Sequence, residues 1–367
     1  MKFVCDKDVI MREISVAADI ISSKTTLSIL SNVLVEASDQ SLKIRATDLK
    51  VSFETAIPVT VEGEGRTTVF CDKLLGILRS LPSGDVEFET TGSDRMIIRP
   101  RGKKIDFRLK CIDADKFPEI QLAVEDAYWE FPQKDFIEMI SQTVFAVSDD
   151  ETRYFMNGVY MENQEGTLIM VATDGRRLAL VKKYPSSEMK EFPGIIVPPK
   201  VLTLIRKQAS GEGSFSIAVT EKNLFVRFEN QKISSALIDG QFPNYRRVIP
   251  EEQIHELTVS RVELAEALRR VSLLVEKSRR IYVDLRPEAI LMRSEETDIG
   301  AASEEISCDY SGPELTIALN YLYLSEPLKA IESERVRVRF TESNKAVTLQ
   351  PEPESDYFHI VMPMQLD

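Results

Sequence analysis

The chain has 367 residues, and its 46 lysines and arginines against 59 aspartates and glutamates give a formal net charge of −13. Hydrophobic residues make up 43% and charged residues 29%, which is typical of a folded globular protein and excludes a largely disordered chain. The length exceeds what one hydrophobic core usually holds and predicts two or three domains. No apolar run approaches the roughly 20 residues of a membrane-spanning helix, and the first residues show no signal-peptide pattern.

The cysteines stand singly and form no metal-binding or disulfide pattern, at Cys5, Cys71, Cys111 and Cys308. A reducing, cytoplasmic location is therefore expected. The negative net charge does not exclude nucleic acid, because a local basic surface can bind phosphates on an acidic protein.

The first segment of the chain predicts two helices among several strands. An amphipathic helix places its apolar residues at the spacing of one helix face, with Val9, Ile10, Ile14, Val16 and Ala17. A strand-like alternation then ends in Ala46-Thr47-Asp48-Leu49, and residues 70–75 predict a strand running into a second helix. A hairpin pairs 86–89 with 96–99, and Phe117-Pro118 closes the segment.

The same order of features returns about 125 residues later. Two of the earlier short motifs recur, as Ala172-Thr173-Asp174-Gly175 and as Phe242-Pro243. Residues 197–202 again predict a strand that runs into a helix. Hairpins pair 215–218 with 224–227 and later 336–339 with 346–349. The opening helices of the second and third copies show the same apolar spacing, at Phe136, Ile137, Ile140 and Val144, and at Val262, Leu264, Ala265, Leu268 and Val271. Asp135 and Ser260 stand where they can cap these two helices.

Three copies of one module account for the length. We predict an α+β protein in which each domain packs two helices on antiparallel sheets, with domains at 1–125, 128–252 and 255–367. Linkers are expected at 120–127 and 249–255, since both segments follow a Phe-Pro element and proline stops regular structure.

Residue types that carry out catalysis or bind metals are sparse. The sequence has two histidines, His255 in an expected linker and His359 in an expected terminal strand. No nucleotide-binding, zinc-protease or EF-hand motif occurs. The acidic pairs at 295–296 and 304–305 are typical of a solvated face, and Asp174 before Gly175 is typical of a tight turn. We expect no catalytic residue, no metal and no cofactor. A hydrolase that uses the acidic clusters is the alternative.

Two further features allow two interpretations each. Basic residues concentrate on predicted helices, at Lys200, Arg206 and Lys207, and residues 260–280 carry six basic and three acidic side chains. They form either solvated helix faces with pairs such as Glu266–Arg270 or a phosphate-binding surface. The apolar end at 360–366 forms either an adaptable hydrophobic groove or an edge strand packed into the last domain.

Longer motifs make a family resemblance specific. Five segments spread along the whole chain resemble, in the same order, the beta subunits of bacterial DNA polymerase III, the sliding clamps. They are residues 26–32, 153–158, 171–179, 239–250 and 361–364. Arg176 stands where many relatives have histidine.

The resemblance implies a processivity factor that is not an enzyme: a homodimeric ring of two head-to-tail chains that encircles duplex DNA. Phe107 and Leu109, on a predicted edge strand, would meet Leu273 and Leu274 of the second chain, with Lys103, Lys104 and Glu304 setting the register. The implied DNA contacts are Lys24, Lys73, Tyr154, Phe155 and Lys200.

The resemblance also implies a cleft for short peptides of the replicative polymerase, the clamp loader and repair proteins. Its implied residues are Met156, Thr173, Gly175, Arg177, Leu178, Pro243, Arg247, Val248, Tyr323, Ile360, Met362, Pro363 and Met364. Arg177 and Arg247 are expected to brace the polar groups of the peptide. A scaffold of the same three domains that binds proteins but not DNA is the remaining alternative.

Overall fold

The computed structural model describes residues 1–21, 27–92, 94–121, 123–185 and 188–366. In these residues six α-helices and 25 strands follow the same order three times. Each repeat opens with a strand and a helix, continues through several strands into a second helix, and closes on antiparallel strands. The α+β class and the threefold repeat are confirmed.

The elements of each repeat have the following bounds. The first repeat contains β1 (Lys2–Asp6), α1 (Lys7–Ile20), β2 (Asn32–Ser38), β3 (Ser41–Thr47), β4 (Val51–Pro58), β5 (Thr60–Gly63), β6 (Gly65–Phe70), α2 (Cys71–Ser80), β7 (Asp85–Thr91), β8 (Arg95–Pro100) and β9 (Phe107–Ile112). The second contains β10 (Trp129–Pro132), α3 (Gln133–Thr143), β11 (Val159–Gln164), β12 (Thr167–Thr173), β13 (Arg177–Lys183), β14 (Ile195–Val197), α4 (Pro199–Gln208), β15 (Ser214–Val219), β16 (Asn223–Phe228) and β17 (Gln231–Ala236). The third contains β18 (His255–Ser260), α5 (Arg261–Val271), β19 (Arg280–Arg286), β20 (Ala289–Ser294), β21 (Ser303–Asp309), β22 (Leu315–Asn320), α6 (Tyr321–Ala330), β23 (Arg335–Phe340), β24 (Val347–Glu352) and β25 (Tyr357–Val361).

The strands form two sheets, one in each of two compact units. The first unit comprises Met1–Gln133 with Lys207–Leu237, and its sheet runs β10-β15-β16-β17-β4-β3-β2-β6-β9-β8-β7-β1-β5. The second comprises Lys134–Arg206 with the chain from Ile238 onward, and its sheet runs β14-β11-β12-β13-β25-β24-β23-β18-β21-β20-β19-β22. The second repeat therefore contributes strands to both sheets.

Pairing between repeats joins the modules. β17 pairs with β4, with Gln231 opposite Thr55, and β13 pairs with β25, with Leu178 opposite Ile360. Each of these junctions covers two strand edges that would otherwise expose unpaired backbone groups.

Helices α1 and α5 begin at side-chain caps and bury one face. The Asp6 carboxylate accepts hydrogen bonds from the backbone N–H groups of Asp8 and Val9 at 2.9 and 3.1 Å, and Ile10 and Ile14 of α1 are buried. Ser260 caps α5 by accepting from the N–H of Glu263. The predicted cap at Ser260 is confirmed.

Several details differ from the sequence predictions. Val262 is 55% exposed because α5 buries Leu264, Ala267, Leu268 and Val271 instead. Val144 lies beyond the end of α3 in a 3₁₀ turn, and Asp135 lies inside the first turn of α3 rather than before it. His255 begins strand β18 and is not part of a linker.

Strand β9, which was predicted to lie at the edge of a sheet, is unpaired on one side along only part of its length. β9 lies between β6 and β8, but Cys111 and Ile112 alone pair with β6. Phe107, Leu109 and Lys110 pair only with β8, so the first half of β9 has one edge unpaired within the described chain. The prediction is wrong for the strand as a whole and holds for the part that carries Phe107 and Leu109.

Candidate functional site

An apolar cleft of about 260 Å³ opens in the second unit, where β12, β13 and β25 meet the segment after Phe242. Its floor belongs to a buried cluster that includes Ile169, Val171, Leu180 and Phe242. The lining residues are Met156, Thr173, Gly175, Arg176, Arg177, Leu178, Pro243, Asn244, Tyr245, Val248, Ile360 and Met362.

A tight turn between β12 and β13 forms one wall of the cleft. The Asp174 carboxylate accepts from the N–H groups of Arg176 and Arg177 at 2.9 and 3.1 Å, and the Thr173 hydroxyl donates to the Arg177 carbonyl at 2.6 Å. Gly175 has φ +88°, a conformation that side chains rarely adopt. In the first repeat, the Asp48 carboxylate accepts from Lys50 and Val51 in the same way. The interpretation of Asp174 as a turn residue is therefore confirmed.

Arg177 is buried behind this wall, with 9% of its surface exposed. Its Nε donates to Asp174 at 3.1 Å, one Nη donates to the Phe145 carbonyl at 2.6 Å, and the other pairs with Glu326 of α6. The guanidinium also lies 4.5 Å from the centre of the Tyr323 ring. Arg177 therefore fixes the wall from behind, and its guanidinium is already occupied. The expectation that it braces the polar groups of a peptide stays a prediction.

The opposite wall is fixed by a buried tyrosine. The Tyr245 hydroxyl donates to Glu162 at 2.6 Å, and Arg246 pairs with the same carboxylate and lies over the Tyr245 ring. Burial and the neighbouring Glu162 raise the pKa of the Tyr245 hydroxyl, so it stays protonated and keeps donating near neutral pH. Phe242 stacks on Tyr160 with ring centres 4.8 Å apart, which holds this segment against the sheet.

Nine of the thirteen residues implied for the cleft line it, and four do not. Arg247 is exposed on the 3₁₀ turn beside Val248, and Tyr323 lies behind Arg177. Pro363 and Met364 follow β25 in a tail whose Met364 N–H donates to the Ala318 carbonyl of β22 at 2.8 Å. Arg176, Asn244 and Tyr245 line the cleft and were not in the implied set, although they stand inside the quoted motifs.

The residues implied for DNA contact lie on separate elements. Lys73 is exposed on α2, and Lys200 is exposed on α4. Tyr154 is 54% exposed and meets the half-buried Phe155 edge to face, with ring centres 5.8 Å apart. Lys24 lies outside the described residues.

Ion pairs occupy much of the basic stretch at 260–280. Arg269 pairs with Glu266, and Arg280 pairs with Glu295. Arg270 donates to both oxygens of Glu304, at 2.8 and 2.6 Å, and contacts Glu266 at 3.3 Å. Glu304, expected to set the register between chains, already has a partner within its own chain. The pair Glu266–Arg270 is confirmed.

The residues implied for contact between chains differ in exposure. Leu273 is 75% exposed in a 3₁₀ turn after α5, whereas Leu274 is half-buried. Phe107 and Leu109 are half-buried on β9.

In the described ranges no three His, Cys, Asp or Glu side chains stand close enough together to hold a metal ion. No helix in the described part of the chain has the length and hydropathy to cross a membrane. His359 lies fully buried on β25, where desolvation and the nearby Arg177 lower its pKa to about 3.

Comparison with known proteins accounts for the threefold repeat. Three family models match in order: the N-terminal domain of the DNA polymerase III beta subunit at residues 1–121, the central domain at 130–244 and the C-terminal domain at 246–365. The chain is 46% identical to the beta sliding clamp of Treponema pallidum and 30% identical to that of Bacillus subtilis, each over the whole of both chains.

Solved structures agree with the sequence relatives. The DNA polymerase sliding clamp of Bacillus subtilis matches with a TM-score of 0.94 and 29% identity, covering all of both chains. A sliding clamp of Pseudomonas aeruginosa bound to griselimycin matches with a TM-score of 0.94 and 27% identity, again over both whole chains. The chain belongs to the beta sliding clamp family, the beta subunits of bacterial DNA polymerase III.

Proposed function

We propose that two copies of this chain close into a ring around duplex DNA and hold partner proteins through the apolar cleft. The observation that supports tethering most directly is the cleft itself, which has a buried apolar floor and two walls fixed by Arg177 and Tyr245. A preformed apolar cleft with few polar groups suits a short peptide with large apolar anchors. A relative of the same fold is bound to griselimycin, which fits a ligand-binding surface in this family.

The proposed DNA contact is independent of sequence. Lys24, Lys73 and Lys200 would contact phosphates, and Tyr154 and Phe155 would contact the nucleic acid with their rings. Contacts to phosphates position a protein on DNA without reading bases, and they weaken as salt rises. Such binding is loose enough to permit sliding, while the closed ring prevents escape.

The proposed contact between chains uses the unpaired half of β9. Phe107 and Leu109 would meet Leu273 and Leu274 of a second chain, which would cover both the free strand edge and the strongly exposed Leu273. Head-to-tail contacts of this kind close into a ring only when the rotation per unit allows it. Three similar modules in each chain would supply six modules per ring.

The partners that fit this role are the replicative polymerase, the clamp loader and repair proteins, each through a short peptide. Their common substrate is chromosomal DNA, so the proposed site of action is the cytoplasm. The proposed role is mechanical and needs no catalytic residue or cofactor.

Fluorescence anisotropy with a short labelled peptide that carries Leu and Phe anchors tests the cleft. Val248 lines the cleft and Val262 does not, yet both residues are 55% exposed. Replacing either valine with Asp therefore introduces a charge at a position that is equally accessible to solvent. Val248→Asp should weaken peptide binding at least about tenfold, since the aspartate would lose hydration under the apolar anchor. Val262→Asp should bind as the unchanged protein does. Equal affinity of both variants would contradict the proposed cleft.

A further inference from the structure

The cleft contains one positive charge that the described chain does not neutralise. Arg176 lines the cleft, is exposed, and forms no ion pair with any carboxylate in the described ranges. Its neighbour Arg177 is the opposite case, since that guanidinium is buried and pairs with Asp174 and Glu326. Two adjacent arginines therefore play different roles: Arg177 supports the wall, and Arg176 faces the space that an occupant would fill.

The carboxylates around the cleft are already engaged. Asp174 accepts from two backbone N–H groups and from Arg177, and Glu326 pairs with Arg177. Glu162 accepts from the Tyr245 hydroxyl and from Arg246. None of these three carboxylates pairs with Arg176, and a partner for it has to come from outside the described chain.

Further positive charge lies at the rim. The Arg153 guanidinium lies against the turn, only 2.9 Å from the position that a Cβ on Gly175 would take. Among the described residues its carboxylate partner is Asp150, and both side chains of that pair are exposed, so the pair contributes little and is easily exchanged. Arg247 is exposed beside Val248 and has no ion pair among the described residues.

We propose that the cleft selects peptides that carry a carboxylate beside their apolar anchors, and that Arg176 is the residue that makes this selection. The inference rests on the proposed peptide-binding role of the cleft and adds the charge of the preferred ligand. The whole chain has a net charge of −13, which disfavours an acidic peptide at long range. Because salt screens such effects beyond about 8 Å under physiological conditions, a preference for an acidic peptide has to come from close contact.

Matched peptides test the inference by fluorescence anisotropy on the full chain. The peptides share Leu and Phe anchors and differ at one position, which is Asp, Asn or Lys, placed before the anchors in one set and after them in the other. In at least one set the Asp peptide should bind about fivefold more tightly than the Asn peptide, and the Lys peptide should bind weakest. Raising NaCl from 50 to 500 mM should reduce the difference.

Arg176→Gln should abolish the preference for Asp over Asn and leave the Asn peptide within about twofold of its original affinity. Arg286→Gln is the matched control, because it removes the same charge from the same unit at a residue that does not line the cleft. An unchanged protein that binds Asp and Asn peptides equally in both sets, or a preference that survives Arg176→Gln, would overturn the inference. Failure of the Asn peptide to bind at all would instead count against the proposed function of the cleft.

Discussion

At the scale of single residues, Arg177 shows how a buried charge can shape a binding surface without touching a ligand. Its three donor groups reach Asp174, the Phe145 carbonyl and Glu326, which belong to the turn between β12 and β13, the 3₁₀ turn after α3, and α6. A buried arginine that loses a carboxylate partner keeps its desolvation cost without the compensating attraction. The shape of the cleft wall therefore depends on Glu326, which does not line the cleft.

Glu326→Ala should lower the free energy of unfolding by about 1–3 kcal/mol and weaken peptide binding, because Arg177 loses its partner on α6. Chemical denaturation and anisotropy measure the two effects. Glu332→Ala removes an exposed glutamate shortly after α6 and should change neither. A Glu326→Ala protein with the stability and peptide affinity of this control would show that the contact does not position the wall.

His359 predicts a pH dependence of stability. Its folded pKa is about 3 and its ordinary value is 6.5, so below pH 6.5 the unfolded chain binds a proton that the folded chain does not. Its contribution to stability is complete above pH 6.5 and declines as the pH falls toward 3. Urea unfolding between pH 7.5 and 5.5 should show this decline, with a slope of at most about 1.4 kcal/mol per pH unit from this group.

His359→Leu should flatten that decline, whereas His255→Leu, which removes the other histidine, should retain it. A decline of the same steepness in His359→Leu would assign the effect to other groups. Most carboxylates are protonated only below about pH 5, so the chosen pH range separates them from histidine.

The sequence predicts turn residues better than it predicts the role of arginines. Asp174 is predictable as a turn residue because a side chain that caps its own turn acts within four residues. The partners of Arg177 include Phe145 and Glu326, which lie 32 and 149 residues away, and no local pattern encodes such contacts. The exposed Arg176 and the buried Arg177 are identical in type, so only the folded chain separates them.

At the scale of elements, the cleft exists because β25 pairs with β13. That pairing places Ile360 opposite Leu178, and the Met362 N–H donates to the Arg176 carbonyl at 2.9 Å. Two halves of the cleft that are far apart in sequence are thereby held by main-chain hydrogen bonds. The helix and hairpin periods predict several of the elements, but the pairing of a terminal strand with the middle of the chain depends on long-range register.

The unpaired half of β9 predicts a contact between chains. Leu273→Asp should yield monomers in sedimentation velocity, because a charge would be placed in the proposed apolar contact. Ile254→Asp is the control: Ile254 is also strongly exposed, at 70%, and this variant should remain dimeric. Dimers of the Leu273→Asp protein at the same concentration would refute the assignment of Leu273 to the interface.

At the scale of the whole molecule, three copies of one module explain the length, the order of elements and the three family models. The repeat can be predicted from the sequence because its turn motifs and the apolar faces of its helices recur in the same order. The division into two sheets was not visible, because the second repeat gives β10 and β15–β17 to one sheet and β11–β14 to the other. Strand exchange of this kind is decided by register between repeats rather than by the pattern within one.

The central claim is that the assembled chain encloses DNA. Clamps loaded by a clamp loader onto nicked circular DNA can be separated from free protein by gel filtration, before and after one restriction cut that makes the circle linear. A closed ring should co-elute with the circle, remain there at a salt concentration that removes simple phosphate binding, and leave once the DNA has ends. Loss from the uncut circle at that salt concentration, or equal retention on cut and uncut DNA, would contradict enclosure.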